Sequence, residues 1–90
     1  MTSPLFFEMD ALIKDLIDQG RSVFPDADFR DGLMFYDHAE WELALDAIFF
    51  SIEALHREVP IDLYEAILRA NEKVGLFDAS HYDSIKPKTR

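Results

Sequence analysis

The sequence predicts an all-α fold, a small antiparallel bundle of three long helices plus one short helix, and three observations carry that expectation. Apolar residues recur at helical spacing in three separate stretches. The connections between those stretches are short, which favours antiparallel neighbours. Only three residues are Gly, too few turn-formers for a β-sandwich or barrel, while 49% hydrophobic residues, with eight Phe among them, supply a core.

The first helix enters through Thr2-Ser3-Pro4, with Ser3 placed to accept a free amide and Pro4 at the first helical position, where its missing N–H is not needed. Leu5, Phe6, Met9, Leu12, Ile13, Leu16 and Ile17 share one face, and Glu8, Asp10, Lys14, Asp15 and Asp18 take the other. Phe7 stands among polar neighbours as a rim residue. The helix ends near Gly20 or frays on toward Phe24. Residues 25–32 form the one long connection, and Leu33 to His38 a short second helix with a break near Ala39.

The central helix is expected from Glu40 to about Glu58, where Pro60 stops it. Trp41, Ala44, Leu45, Ile48, Ile52 and Leu55 make its main apolar stripe. Leu43, Ala47, Phe50 and Ala54 make a second one, and Glu42, Asp46, Glu53 and Arg57 are squeezed into a narrow polar edge. A helix apolar on most of its circumference is expected to be surrounded by other helices, which places Trp41 and Phe50 in the core.

Asp62 is the expected N-cap of the last helix, whose Leu63, Tyr64, Ile67, Leu68, Ala70 and Val74 face inward. Asn71 falls within the inward arc and requires a hydrogen-bond partner once buried. Gly75 is placed as the left-handed terminator, with Leu76 or Phe77 folding back. Residues 1–79 are thus read as one helical domain, and 80–90 as a polar, basic, mobile C-terminal tail.

Charge and composition exclude several functions. The formal net charge is -9, and setting aside Lys86, Lys88 and Arg90 leaves eighteen acids against six bases, or -12. Such a surface repels nucleic acid and anionic lipid and attracts basic partners. Absence of Cys removes disulfides, thiolate metal sites and thiol nucleophiles, and suits a cytoplasmic protein. No basic leader precedes the acids of the first sixteen residues, so no secretory signal is read there.

No cofactor or metal is expected. Counting Asp26 as the first position of a calcium loop puts Arg30 fifth, Asp31 where Gly is required and Asp37 where a bidentate Glu is required. His38-Ala39-Glu40 matches one half of a zinc-deaminase signature whose other half needs Cys. His56 and His81 have no ligand spacing around them. No phosphate loop, nucleophile elbow or His-Glu-x-x-His helix is present, and the chain is read as not an enzyme.

An acidic helix edge remains, and carboxylates spaced along it can stand in for phosphates in a basic cleft. Tyr36, Trp41, Phe49 and Phe50 are the aromatic residues available to anchor such a contact wherever they are exposed.

At His38-x-Glu40-Trp41-x-Leu43-Ala44-Leu45-Asp46, then Val59-Pro60-Ile61, Ile67-Leu68 and Val74-Gly75-Leu76, the chain resembles the MafI-type immunity proteins, which are similar to the immunity proteins of contact-dependent growth inhibition systems. The shared elements cover roughly residues 33–78, and Glu42 stands where the family pattern carries Gly. The resemblance implies that 1–79 is an immunity domain. It implies a cytoplasmic antidote that binds one cognate toxin domain and blocks it, the partners being commonly nucleases, including the EndoU-like ribonuclease class. Occlusion of a basic RNA-binding or active-site cleft by a monomer in a one-to-one complex is the expected mode. The expected toxin-binding residues are Asp37, Glu40, Glu42, Asp46 and Glu53, with Asp26, Asp28 and Asp31 as a second patch. The alternative is an acidic helical adaptor or regulatory domain for a basic protein that is not a toxin.

Overall fold

Helical periodicity in the first stretch yields α1 (Pro4–Val23), which runs through Gly20 without stopping. The computed structural model describes residues 4–74 and 77–88, with side chains from Phe6 onward. The Ser3 cap and the Gly75 terminator with Leu76 lie outside the described residues. Ile13, Leu16 and Ile17 are buried along α1, as their spacing requires. Gly20 is buried for a reason the sequence does not announce: the ring of Phe29 sits where its side chain would be, 3.0 Å from the position of a Cβ.

The second helix is longer than its apolar letters indicate. α2 (Arg30–Asp37) starts three residues before Leu33, because the Asp28 carboxylate accepts the free Arg30 amide at 3.0 Å in an Asx-type turn. Gly32 then lies inside the helix, buried against α3 (Trp41–Glu53), where a Cβ would meet Ile48 Cγ1 at 2.9 Å. Removing that Cβ is what lets the two helices close. Ala39 takes a left-handed φ of 55° between them, and the Glu40 amide donates back to the Phe35 carbonyl at 2.9 Å.

The central helix is shorter than expected. It ends at Glu53, and the amides of Leu55 and His56 close onto the carbonyls of Ile52 and Glu53 before His56 turns left-handed at φ 52°. The chain then runs extended into Pro60, which excludes helix for its predecessor and lets Val59 reach the core. α4 (Ile61–Val74) begins two residues earlier than predicted, with the Pro60 carbonyl accepting the Tyr64 amide, so Asp62 lies in the first turn instead of capping it. There its charge still faces the positive end of the helix dipole.

The chain is all-α, and the described residues contain no strand. The core joins α1, α3 and α4 through Ile13, Leu16, Leu45, Ile48, Ile52, Leu63 and Ile67, each almost fully buried. A fifth element, a 3-10 helix over Ala79–Ile85, was expected to be tail. It places Tyr82 and Ile85 in the core, so the division at residue 79 cuts through packed structure. Three residues per turn put these two on one face.

Tyr82 supplies the partner that Asn71 requires. Its hydroxyl donates to Asn71 Oδ1 at 3.1 Å, while Asn71 Nδ2 donates to the Phe77 carbonyl at 2.6 Å and the Phe77 amide donates back at 3.3 Å. Phe49 stands edge-on to the Tyr82 ring at 5.1 Å, and Phe77 stacks on His81 at 4.1 Å. Burial, then the nearby Asp46 charge, push the Tyr82 phenol up to about 12.

An unfolded tyrosine ionises near pH 10, so the folded state is favoured fully below that pH and loses this advantage as pH rises toward 12. The unfolding midpoint in urea is therefore expected to fall across that window, and to fall less in Tyr82→Phe. Equal slopes for the two proteins would contradict the assignment.

Candidate functional site

The second apolar strip of α3 is not covered. Leu43 is 49% exposed and Phe50 53% exposed, Ala54 is exposed and Ala47 half-buried, so the expectation that Phe50 lies in the core is overturned. The reason is thickness. The molecule measures 46 × 25 × 17 Å, about two helix layers deep, so among the described residues no third layer encloses α3. Trp41 is half-buried, meeting Phe6 at 5.3 Å and Tyr36 at 6.1 Å, and Phe49 is in the core.

The exposed strip forms the floor of a groove of about 660 Å³. Leu43, Ala47, Phe50 and Ala54 line it at spacing i, i+4, i+7, i+11, a length of about 16 Å at the helical rise. Phe35 and Leu55 add apolar surface. Four carboxylates complete the lining: Asp26 and Asp28 from the loop, Asp31 from α2 and Asp46 from α3. Residues that the sequence places in two separate patches thus meet around one concave surface.

The groove wall is pinned. Ser51 Oγ on α3 donates to the Asp28 carbonyl at 2.6 Å, with the Ala47 carbonyl at 3.0 Å sharing the same hydrogen. Arg57 donates two bonds to Asp26, at 2.8 and 2.6 Å, clamping the loop to the chain beyond α3. Buried Phe24 and Phe29 hold the loop from below.

Arg30 donates to both oxygens of Asp28, and these bonds hold its carboxyl down to about 2. Arg57 lowers that of Asp26 in the same way. Both carboxylates therefore stay ionised below the usual range, so their ion pairs with Arg30 and Arg57 persist in mild acid.

The remaining predicted residues divide. Glu40 and Glu42 are exposed and line an adjoining recess of about 420 Å³ with Trp41, sharing Leu43 with the main groove. Asp31, Glu40 and Glu42 make no ion pair among the described residues. Asp37 is exposed and lines none of these depressions. Asp46 and Glu53 are less available: Asp46 Oδ1 lies 3.4 Å from His81 Nε2, and Glu53 accepts a hydrogen bond from Ser84 Oγ, so both tie the 3-10 helix to α3.

Leu43 and Phe35 are absent from the expected site, and Phe50 enters it only as an anchor wherever exposed. The signal for Leu43 and Phe50 is the second strip, read as buried; Phe35 lies on α2, outside that strip. Among the described residues no three His, Asp or Glu side chains gather to hold a metal ion, and no helix is long and apolar enough to cross a membrane. The geometry suits protein recognition, in which an apolar centre supplies affinity and charged rims set orientation and encounter rate. Compared with family models, with curated proteins and with solved structures, the chain matches none of them.

Proposed function

We propose that the chain is a non-catalytic immunity protein of the MafI-like kind, which neutralises a cognate toxin in the cytoplasm by covering its basic RNA-binding or active-site cleft. The observation that carries the binding reading is the acid-rimmed apolar groove: an exposed Leu43–Phe50 strip set between Asp31 and Asp46 on a surface of strongly negative charge. A ribonuclease cleft is built to hold phosphates, so it is electropositive, and it complements this surface. The antiparallel three-plus-one helical arrangement and a one-to-one complex belong to the same reading. The resemblance at Glu40-Trp41-x-Leu43-Ala44-Leu45 supports the toxin as partner.

The test is co-expression with any nuclease domain encoded beside this chain, followed by pull-down and a ribonuclease assay. Rescue of growth with loss of RNA cleavage is expected. Absence of both binding and inhibition would reject the immunity reading.

Asp31→Lys with Glu42→Lys reverses two exposed carboxylates that hold no internal ion pair among the described residues. Association with the toxin domain should slow by about tenfold at low salt, while the denaturation midpoint falls only by the helix-dipole contribution of two first-turn acids, about 0.3–1 kcal/mol each. An unchanged on-rate would remove these residues from the encounter surface. Reversing Asp46 or Glu53 is a poorer test, since it also loosens the 3-10 helix.

A further inference from the structure

We infer that the groove receives a basic amphipathic α-helix of the partner, laid along α3 with apolar side chains between Leu43 and Phe50 and Lys or Arg side chains reaching the Asp rim. This rests on reading the groove as the binding surface, and it adds the secondary structure and polarity of the segment bound there.

Three observations select this occupant. The floor is itself a helix face about three turns long, and its Leu43, Ala47 and Phe50 knobs leave holes at the spacing that a second helix fills. The lining offers an extended segment little backbone pairing: the Asp28 carbonyl accepts from Ser51, the helical carbonyls are used internally, and no strand edge exists among the described residues. An extended backbone pressed onto Leu43 and Phe50 would leave its own N–H and C=O groups unpaired, whereas a helix satisfies them itself.

Charge supplies the third. Asp31 and Asp46 flank the floor from two helices, and Asp26 and Asp28 stand on the loop with Arg57 and Arg30 already bound to them. A helix with acidic flanks would meet repulsion on both sides, and one without charge would forgo the encounter field.

Pinning of the wall by Ser51 and Arg57 means that little of the protein must be ordered on binding. Phe50 is the anchor, because it is the largest exposed side chain on the floor.

The experiment uses three synthetic peptides of about fourteen residues, capped at both ends, added to the full chain and followed by amide chemical shifts and peptide circular dichroism. The first has Leu at spacing i, i+4, i+7, i+11 with Lys and Arg on both flanks. The second carries a central Pro, and the third has Glu in place of the basic residues. The first is expected to become helical on binding and to shift amides of 26–31 and 43–54. Its affinity should exceed each of the others by about tenfold or more, and fall by about tenfold in Phe50→Ala.

Equal binding of the Pro peptide, shifts centred elsewhere, or no binding at millimolar concentration would overturn the inference. If peptide binding succeeds while the neighbouring toxin domain is neither bound nor inhibited, the immunity reading fails and the helix groove stands. If the toxin domain is bound but the peptides are not, the helical occupant fails alone.

Discussion

Tyr82→Ala is expected to destabilise the protein by about 3–5 kcal/mol, the range for deleting a large buried aromatic side chain. The side chain is fully buried on a segment that composition alone would assign to a tail. Its ring packs edge-on to Phe49 at 5.1 Å, and its hydroxyl bonds Asn71 across α4. Removing it opens a cavity beside Phe49 and detaches the anchor that holds His81 near Asp46 and Ser84 near Glu53.

Small domains are stable by about 5–15 kcal/mol in all, so this single change consumes much of the margin. Tyr82→Phe separates the two roles of the side chain. It keeps the ring, and Asn71 Oδ1 still accepts from the Phe77 amide, so only about 1 kcal/mol should be lost. Urea denaturation of the three proteins reads both effects. A Tyr82→Ala loss below about 1 kcal/mol would show that the 3-10 helix adds little to the fold.

Phe50→Lys is expected to do the opposite, leaving stability within about 0.5 kcal/mol while weakening binding of the proposed toxin partner by at least 2 kcal/mol, about thirtyfold. The stability half follows from exposure: a side chain 53% exposed at the floor of an open groove has a route for a Lys ammonium to reach water. The binding half follows from position, since a cation there sits on the surface that a basic partner must cover. Matched denaturation curves and titration calorimetry against the toxin domain measure the two halves. Unchanged affinity would move the contact away from the groove.

Most of the architecture is legible from periodicity, because burial of α1, α3 and α4 follows local spacing: Ile13, Leu16 and Ile17, then Ala44, Leu45, Ile48 and Ile52, then Leu63, Ile67 and Ala70. Asn71 was legible as a demand for a partner, though not which one. The Tyr82 contact escaped because a 3-10 turn with two apolar side chains has no amphipathic run to recognise.

The site was legible only in pieces. Both acid patches and the Leu43–Ala54 strip can be named from the sequence, but their meeting depends on α2 docking against Ile48 through Gly32, a long-range contact with no local pattern. The strip was assigned to the interior because helical spacing reports which residues share a face, and not whether another layer lies above it. The early end of α3 at Glu53 likewise follows from Val59 being drawn into the core, which tertiary packing decides.

The central proposal is that the Asp-rimmed groove on α3 is the surface a partner covers, and hydroxyl-radical footprinting of the complex with the partner captured in the co-expression test reads it directly. Phe7, Met34, Leu43, Phe50 and Ile61 are all exposed large apolar side chains in the free protein, so each reports its own surroundings in one experiment. Suppressed oxidation at Phe50 and Leu43, with Phe7 and Ile61 unchanged, is the predicted result. Protection at Phe7 or Ile61 with Phe50 oxidised as in the free protein would contradict it.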